Sequence, residues 1–288
     1  MKTEKIDLYQ QITDKIIAQL ETGTAVWRKN WSSASSFPIN AASRKEYRGI
    51  NWLMLQCSAF GSNEWMTYKQ CANAGGQVRA GSKGTQVVFW SFLPSKTEKK
   101  ADGTAKMIPF LKAYTVFNRE QCENLPEIMP VEREAFCSIE RAEAIISAMP
   151  KRPQIFHAGG KAFYKPLEDT VTMPAKADFH APAGYYSVLF HELVHATGHE
   201  SRLAREGICR TNSFGSDLYS KEELVAEMGA AFLNAHAGIE TEHEQSAAYI
   251  AGWLKALKDD KKLVMQAASA AQKAADYIMG VSFEVEAA

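Results

Sequence analysis

Apolar residues recur every three or four positions at Ile6, Tyr9, Ile12, Ile16 and Leu20, a spacing that predicts an amphipathic helix over residues 4–22 with Gly23 as its stop. Trp27-Arg28-Lys29-Asn30-Trp31 follows as a loop, and after a Ser-rich stretch Tyr47-Arg48-Gly49-Ile50-Asn51-Trp52-Leu53 opens a second helix. Thr67 is placed to cap a third helix, which stops at Gly75-Gly76. The pattern then changes period. Gly81-Ser82-Lys83-Gly84 reads as a turn ahead of a β-rich run from Thr85 to Trp90, with a partner strand at Ile108 to Phe117. Trp52, Trp65 and most of the run Val87 to Trp90 are expected in the core, and the charged insert Lys96 to Lys106 as a solvated excursion.

Pro126 and Pro130 bracket an acidic stretch that reads as a linker at 126–134, between domains at 1–125 and 135–288. A helix is expected at 132–149. Short strands follow at 154–157, 162–164 and 170–173, where Val, Phe and Tyr alternate with turn formers and prolines. A helix at 184–197 closes at Gly198, a loop of about 20 residues leads to a helix at 220–236, and two alanine-rich helices at 244–258 and 261–279 finish the chain. There is no internal repeat.

Composition adds a boundary to this picture. The chain is long enough for two domains, 46% of it is hydrophobic, and no apolar run approaches the roughly 18 residues of a membrane span. The start carries acidic residues where a signal peptide would be basic and then apolar, so a soluble cytoplasmic protein without a membrane partner is expected. Five cysteines without a Cys-x-x-Cys pair argue against a disulfide framework. The zero net charge hides a division. Residues 1–125 hold 17 Lys+Arg against 10 Asp+Glu, whereas the rest holds 16 against 23. Five of six tryptophans lie in the basic half and all seven histidines in the acidic half. The first composition suits a polyanion that can stack, the second a metal.

The strongest chemical signal is His191-Glu192-Leu193-Val194-His195. Two histidines four apart share a helix face and can bind one zinc ion, while Glu192 is placed as the general base of a hydrolysis. A catalytic zinc needs a third protein ligand. His199 follows the helix-breaking Gly198, and the position six residues after His195 is Ser201, not histidine. The helix beginning Ser220-Lys221-Glu222-Glu223-Leu224-Val225-Ala226-Glu227 offers Glu223 and Glu227 on one face, one turn apart. Leu224, Ala226, Gly229, Ala230 and Phe232 around them predict buried, partnered carboxylates. Tyr185, Tyr186 and Tyr219 are candidate oxyanion donors, with core or rim positions the plainer reading. His157, His180, His236 and His243 have no ligand spacing to one another. Nucleobase deaminase chemistry is excluded, because the Pro-Cys-x-x-Cys it needs is missing.

These residues resemble the gluzincin branch of the zincin metallopeptidases. The resemblance implies Glu223 as the third ligand and Glu227 as the partner that orients a ligating histidine, with zinc or another divalent ion such as manganese as cofactor. Ala162 to Pro174 is similar to the strand pair that precedes the metal helix in zincins, whose edge receives an extended peptide; a plain structural hairpin is the alternative.

In the basic half, Trp27, Arg28, Lys29 and Trp31, then Arg44, Lys45, Tyr47 and Arg48, with Arg79 and Lys83 at the glycine turn, mix cations and aromatic faces as a single-strand binder does. Tyr9 to Ile16, the Trp27 to Trp31 loop, Tyr47 to Asn51, Trp65 to Gln70 and Tyr114 to Asn118, with the metal helix and the Glu222 to Phe232 helix, resemble the ArdC-type antirestriction proteins over nearly the whole chain. The first domain is also similar to one attached to plasmid primases of the TraC type. The resemblance implies an α+β protein of two domains: an α/β domain that binds single-stranded DNA and a zincin-like metallopeptidase domain. It further implies a mobile-element protein that protects incoming DNA from host restriction, its second domain either cleaving a host protein or acting as a metal-stabilised scaffold. Two alternatives remain: a metallopeptidase whose basic domain recognises a protein partner, and a replication accessory factor, for which no primase motif is visible.

Overall fold

The computed structural model describes residues 7–23, 37–58, 60–99, 104–127, 138–209, 217–240 and 247–281. They gather into two compact units, one within Met1–Ile12 and Pro38–Met129, the other within Thr13–Phe37 and Pro130–Ala288. The division falls inside α1 (Leu8–Leu20), whose later residues belong to the second unit. There Thr13 Oγ1 donates to the Lys261 carbonyl at 2.8 Å. Most of the expected linker, from 128 to 134, lies outside the described residues, as does the 132–137 start of the next expected helix. No described helix is long and apolar enough to cross a membrane.

The N-terminal unit is built on a four-stranded sheet of order β1-β2-β5-β4, from β1 (Ile39–Asn40), β2 (Glu64–Met66), β4 (Thr85–Lys99) and β5 (Ala105–Asn118). A short antiparallel pair, β3 (Gln77–Val78) and β6 (Cys122–Glu123), lies beside it in sequence. Helix α2 (Ile50–Gln56) is buried at nearly every position, and α3 (Tyr68–Asn73) starts from a capping box. Gln70 N–H donates to Thr67 Oγ1 at 3.2 Å and Thr67 N–H to Gln70 Oε1 at 2.8 Å, satisfying two amides that no helical turn precedes. Tyr47, Leu55, Trp65, Val87 and Val116 form the core under the sheet.

The β4–β5 pair is a long antiparallel arm, in register from Thr85 opposite Val116 to Pro94 opposite Met107, and again at Lys99 opposite Ala105. The stretch from Lys96 to Lys106 therefore extends the arm at its described positions, where residues 97–99 and 104–106 are exposed as the expected solvated excursion would be, but as paired strand. At the arm's base the Asn51 carboxamide pairs with the backbone of Val88, donating to its carbonyl and accepting from its N–H at 2.7 Å each, which covers the edge strand's polar groups. Val87 and Val88 are buried, but Phe89, Trp90, Phe92 and Leu93 are exposed. The expectation that most of Val87 to Trp90 is core holds for its first half and fails for its second. Phe89 and Leu93 lie on one face of the strand and Trp90 and Phe92 on the other, and both rows emerge beyond the base.

The C-terminal unit packs helices against a small sheet of order β7-β9-β8. Its strands are β7 (Gln154–His157), β8 (Phe163–Lys165) and β9 (Thr170–Met173), with β9 parallel to β7 and antiparallel to β8. Val171 and Met173 point inward and are fully buried. The helices are α4 (Ser138–Ala148), α5 (Pro182–Thr197), α6 (Glu206–Cys209), α7 (Asp217–Ala237), α8 (Ala247–Asp259) and α9 (Leu263–Ile278). The expected loop between α5 and α7 thus contains a short helix. Along α9, Ala267, Ala268, Ala271, Ala274 and Ala275 are buried, and their small side chains let α7 approach closely.

Arg202 ties the end of α5 to the sheet. Its guanidinium donates to the carbonyls of Ala196 and Lys151 at 2.7 and 2.9 Å, to the Tyr164 hydroxyl at 3.2 Å and to both carboxylate oxygens of Asp169. Five acceptor atoms from four residues around one buried cation fix the helix that carries the histidines.

Candidate functional site

Helix α5 starts with Pro182 at its first turn, where a missing N–H costs nothing, and ends at Gly198. Gly198 keeps ordinary helical dihedrals, so its need for glycine is spatial: a Cβ there would stand 2.5 Å from Ile208 Cγ1. The four-residue spacing sets His191 and His195 on one face, with ring centroids 4.8 Å apart and Nε2 atoms 3.1 Å apart. Helix α7 lies against that face. At their closest approach a Cβ on Gly229 would stand 2.8 Å from Val194 Cγ2, and Asn234 Nδ2 donates to Ser187 Oγ at 3.0 Å.

This contact brings three carboxylates of α7 to the two imidazoles. Glu223 Oε2 lies 3.5 Å from His191 Nε2, and its Oε1 lies 3.4 Å from His195 Nε2. Candidate ligand atoms of His191, His195 and Glu223 all fall within 4.8 Å of one another. On the far side of each ring stands another carboxylate: Glu227 Oε1 is 3.7 Å from His191 Nδ1, and Glu222 Oε1 is 3.4 Å from His195 Nδ1. The His195 Nδ1 contact is too poorly directed to be a hydrogen bond, leaving that buried nitrogen without one. Glu192 is buried beside this cluster.

So many acids under cover need a cation. Arg205 supplies one, bonding Glu222 through Nη2 at 2.6 Å and Nε at 3.1 Å, and also reaching Thr197 Oγ1 and the Val194 carbonyl at 2.6 Å each. Burial pushes the Glu222 pKa up, but His195 and Arg205 outweigh it and hold it below the usual carboxylate range. Glu223 is likewise depressed, its burial outweighed by His191 and His195. For His195 burial disfavours the charged ring, yet Glu222, Glu223 and Glu192 prevail and push its pKa up to about 10. Two imidazoles and one carboxylate, with a surplus of negative charge around them, form a donor set that can hold a divalent metal.

Sequence reasoning missed Glu222 and Arg205. A weak signal existed for Glu222: with Glu227 it provides each histidine its own carboxylate, one residue before and four after Glu223. Arg205 had none, because it arrives from the loop after α5. Of the other candidates, His199 turns away and its Nδ1 pairs with Ser201 Oγ at 2.9 Å. Tyr185 and Tyr186 are buried. The Tyr185 hydroxyl bonds His157 Nε2 at 2.9 Å, and that of Tyr186 donates to Glu143 and accepts from Lys176, so neither is aimed at the histidines as an oxyanion donor. Tyr219 lies in the first turns of α7.

In the N-terminal unit, Trp27, Arg28, Lys29 and Trp31 lie outside the described residues. Lys45, Tyr47 and Arg48 come together around a cavity, but Tyr47 is a core residue whose hydroxyl accepts from Asn40 Nδ2 at 3.1 Å, which corrects its reading as an exposed stacking face. Arg44 is paired with Glu64. Arg79 and Lys83 stand outside the cavity's lining, at the turn, where Gln121 bonds their backbones. Exposed aromatic rings come instead from Tyr68 at the start of α3 and from the arm, at Phe89, Trp90, Phe92 and Tyr114.

Residues 6–117 match the family model of the N-terminal domain of the anti-restriction factor ArdC, and residues 140–270 that of a zincin-like metallopeptidase. The chain is similar to the metal-free crystal structure of the antirestriction protein ArdC from plasmid R388, with a TM-score of 0.77 and 41% identity over 95% of this chain and 97% of that one. The Mn(II)-bound structure of the same protein gives a TM-score of 0.77 and 40% identity, over 97% and 100%. An uncharacterised protein of Sinorhizobium fredii is 37% identical over 94% of this chain and 91% of its own length. Two DNA primase TraC proteins of Escherichia coli are 37% identical over 96% and 97% of this chain, which spans only 20% and 28% of their length.

Proposed function

We propose, for a chain that belongs to the ArdC-type antirestriction family, that it binds single-stranded DNA through its N-terminal unit, holds one divalent ion at His191, His195 and Glu223, and protects incoming DNA of a mobile element from host restriction. Its place of action is the cytoplasm. The observation that carries the metal half is the convergence of three ligand atoms within 4.8 Å across α5 and α7. The Mn(II)-bound form of the R388 relative supports manganese alongside zinc.

When bound, such an ion supplies Lewis acidity that polarises a carbonyl and lowers the pKa of a water to about 7. Glu227 faces Nδ1 of His191 and Glu222 faces Nδ1 of His195, which turns both Nε2 atoms toward the shared position. Arg205 keeps Glu222 in place and balances its charge. Glu192, between the two histidines in sequence and shielded from solvent, accepts a proton at its carboxylate as general base. This chemistry suits hydrolysis of a host protein's peptide bond.

The test is transfer of unmodified DNA into a restricting host. The chain is expected to raise its survival, and no rise contradicts the reading. Glu192→Ala then separates the means: lost protection with DNA and metal binding intact assigns it to cleavage, retained protection to DNA binding on a metal-stabilised scaffold.

A second reading, a metallopeptidase whose N-terminal unit recognises a protein, draws on the apolar outer arm, where Phe92, Leu93, Met107 and Ile108 are exposed. Salt decides between them. Phosphate contacts release counterions, so single-strand affinity must fall steeply as salt rises; binding that is absent or insensitive to salt favours the protein partner.

A further inference from the structure

A cavity of about 610 Å³ opens in the N-terminal unit where the turn after β1, the start of α3 and the inner arm meet. That size falls within the roughly 300–1,000 Å³ of pockets that take small organic groups. One wall is aromatic. In the arm's register Val87 stands opposite Tyr114 and Phe89 opposite Lys112, which sets Phe89 and Tyr114 on one face as diagonal neighbours. Their rings meet edge to face at 5.6 Å and 75°, yet Phe89 remains 46% and Tyr114 39% exposed, so both offer surface to a further ring. Lys112 Nζ lies 5.0 Å from the Tyr114 ring centroid, and Lys45 and Arg48 bring positive charge to the lining, against a single acid, Glu46.

The polar groups in the lining are engaged with one another. Asn40 Nδ2 donates to Gln70 Oε1 at 3.3 Å and Gln70 Nε2 to Asn40 Oδ1 at 3.2 Å, a reciprocal amide pair. Asn40 Oδ1 also accepts from the N–H groups of Ala42 and Ser43, and Gln70 Oε1 from that of Thr67. Asn51 is committed to the Val88 backbone. Reading a base edge needs amides free to donate and accept in a fixed pattern. Here those amides hold the wall in shape, and the lining offers a ligand aromatic face, which stacks any base, beside the positive charge of Lys45 and Arg48.

We propose that this cavity receives one unstacked nucleobase of single-stranded DNA, with the base against Phe89 and Tyr114, the phosphate toward Lys45 and Arg48, and little discrimination among the four bases. The proposal rests on the reading that the N-terminal unit binds single-stranded DNA, and it places the contact on the arm's inner face. The occupant complements the lining: a flat ring for the aromatic wall and a phosphate for the cations. Sequence-tolerant capture of this kind suits a protein that must act on whatever strand enters.

The experiment is photocrosslinking of the full-length chain to a thymine-rich strand carrying 5-iododeoxyuridine, with the attachment site mapped by mass spectrometry. Attachment at Phe89 or Tyr114 is expected. Tyr114→Ala should weaken binding by roughly 5- to 150-fold, the range for loss of one stacked base, with an unchanged melting curve showing that the fold persists. Homopolymers of thymine, adenine and cytosine should bind within about threefold of one another on this stacking account. Binding by the wild type with crosslinks only outside the cavity, or an unchanged affinity in Tyr114→Ala, overturns the cavity and leaves the DNA reading standing. A wild type that does not bind the strand at all overturns both.

Discussion

In the C-terminal unit two imidazoles and four acids, Glu192, Glu222, Glu223 and Glu227, are packed between two helices, with Arg205 paired to Glu222. In the N-terminal unit Phe89, Trp90, Phe92 and Tyr114 stand between 39% and 57% exposed on a two-stranded arm. The first arrangement places charges where water cannot screen them, so each must be held by a partner and the fold's stability depends on that balance. The second places apolar surface where water must be displaced, so its residues contribute little to the fold and remain available to a ligand. Substitutions should therefore have opposite signatures in the two units.

The largest effect is expected at Arg205. Arg205→Met leaves Glu222 buried among other carboxylates without its cation, and unfolding in urea should show a loss of about 3–4 kcal/mol in the metal-free chain. A loss under 1 kcal/mol would mean that the acids are better solvated than their burial implies. Asp169→Asn is the intermediate case. Burial raises the Asp169 pKa, but the bonds from Arg202 and Tyr164 outweigh it and hold it below its ordinary value. A depressed carboxylate adds stability above its unfolded pKa of about 3.9, and that stability is lost as pH falls through the lower folded value. The variant should lose about 1–2 kcal/mol at neutral pH and show a flatter decline below about pH 4. An unchanged acid limb would remove Asp169 from the account. The smallest effect belongs to the arm: Phe92→Ser should shift stability by about 0.5 kcal/mol or less, since it empties no core. A melting point lowered by many degrees would show that the arm supports the fold and blur the contrast.

The same contrast explains what the sequence could tell. The convergence of the candidate ligands was legible because its pattern is local: His191 and His195 are one turn apart, Glu223 and Glu227 are one turn apart, and 3.6 residues per turn places each pair on a face. The caps at Thr67 and Gly198 read for the same reason. Glu222 and Arg205 did not, since their roles depend on how closely α7 meets α5 at Gly229 and on where a loop returns. The arm misled more deeply. Val87 to Trp90 is apolar in both alternating rows, and such a run looks the same whether it is covered on two faces or on none. Val87 packs with Tyr47, Leu55, Trp65 and Val116, a cluster that Phe89 on the same face does not join. The cavity was invisible for a further reason: it joins residues from 40–51, 67–70, 87–89 and 114–116, which only the sheet register brings together.

The central claim is that one divalent ion is held between α5 and α7 by His191, His195 and Glu223. Equilibrium dialysis of the full-length chain against zinc or manganese, with metal counted per chain, tests it most directly. The account predicts one ion per wild-type chain, retention in Glu192→Gln, and a loss of at least about tenfold in affinity in Glu223→Gln, as expected when a charged ligand is removed. Wild-type affinity in Glu223→Gln would contradict it.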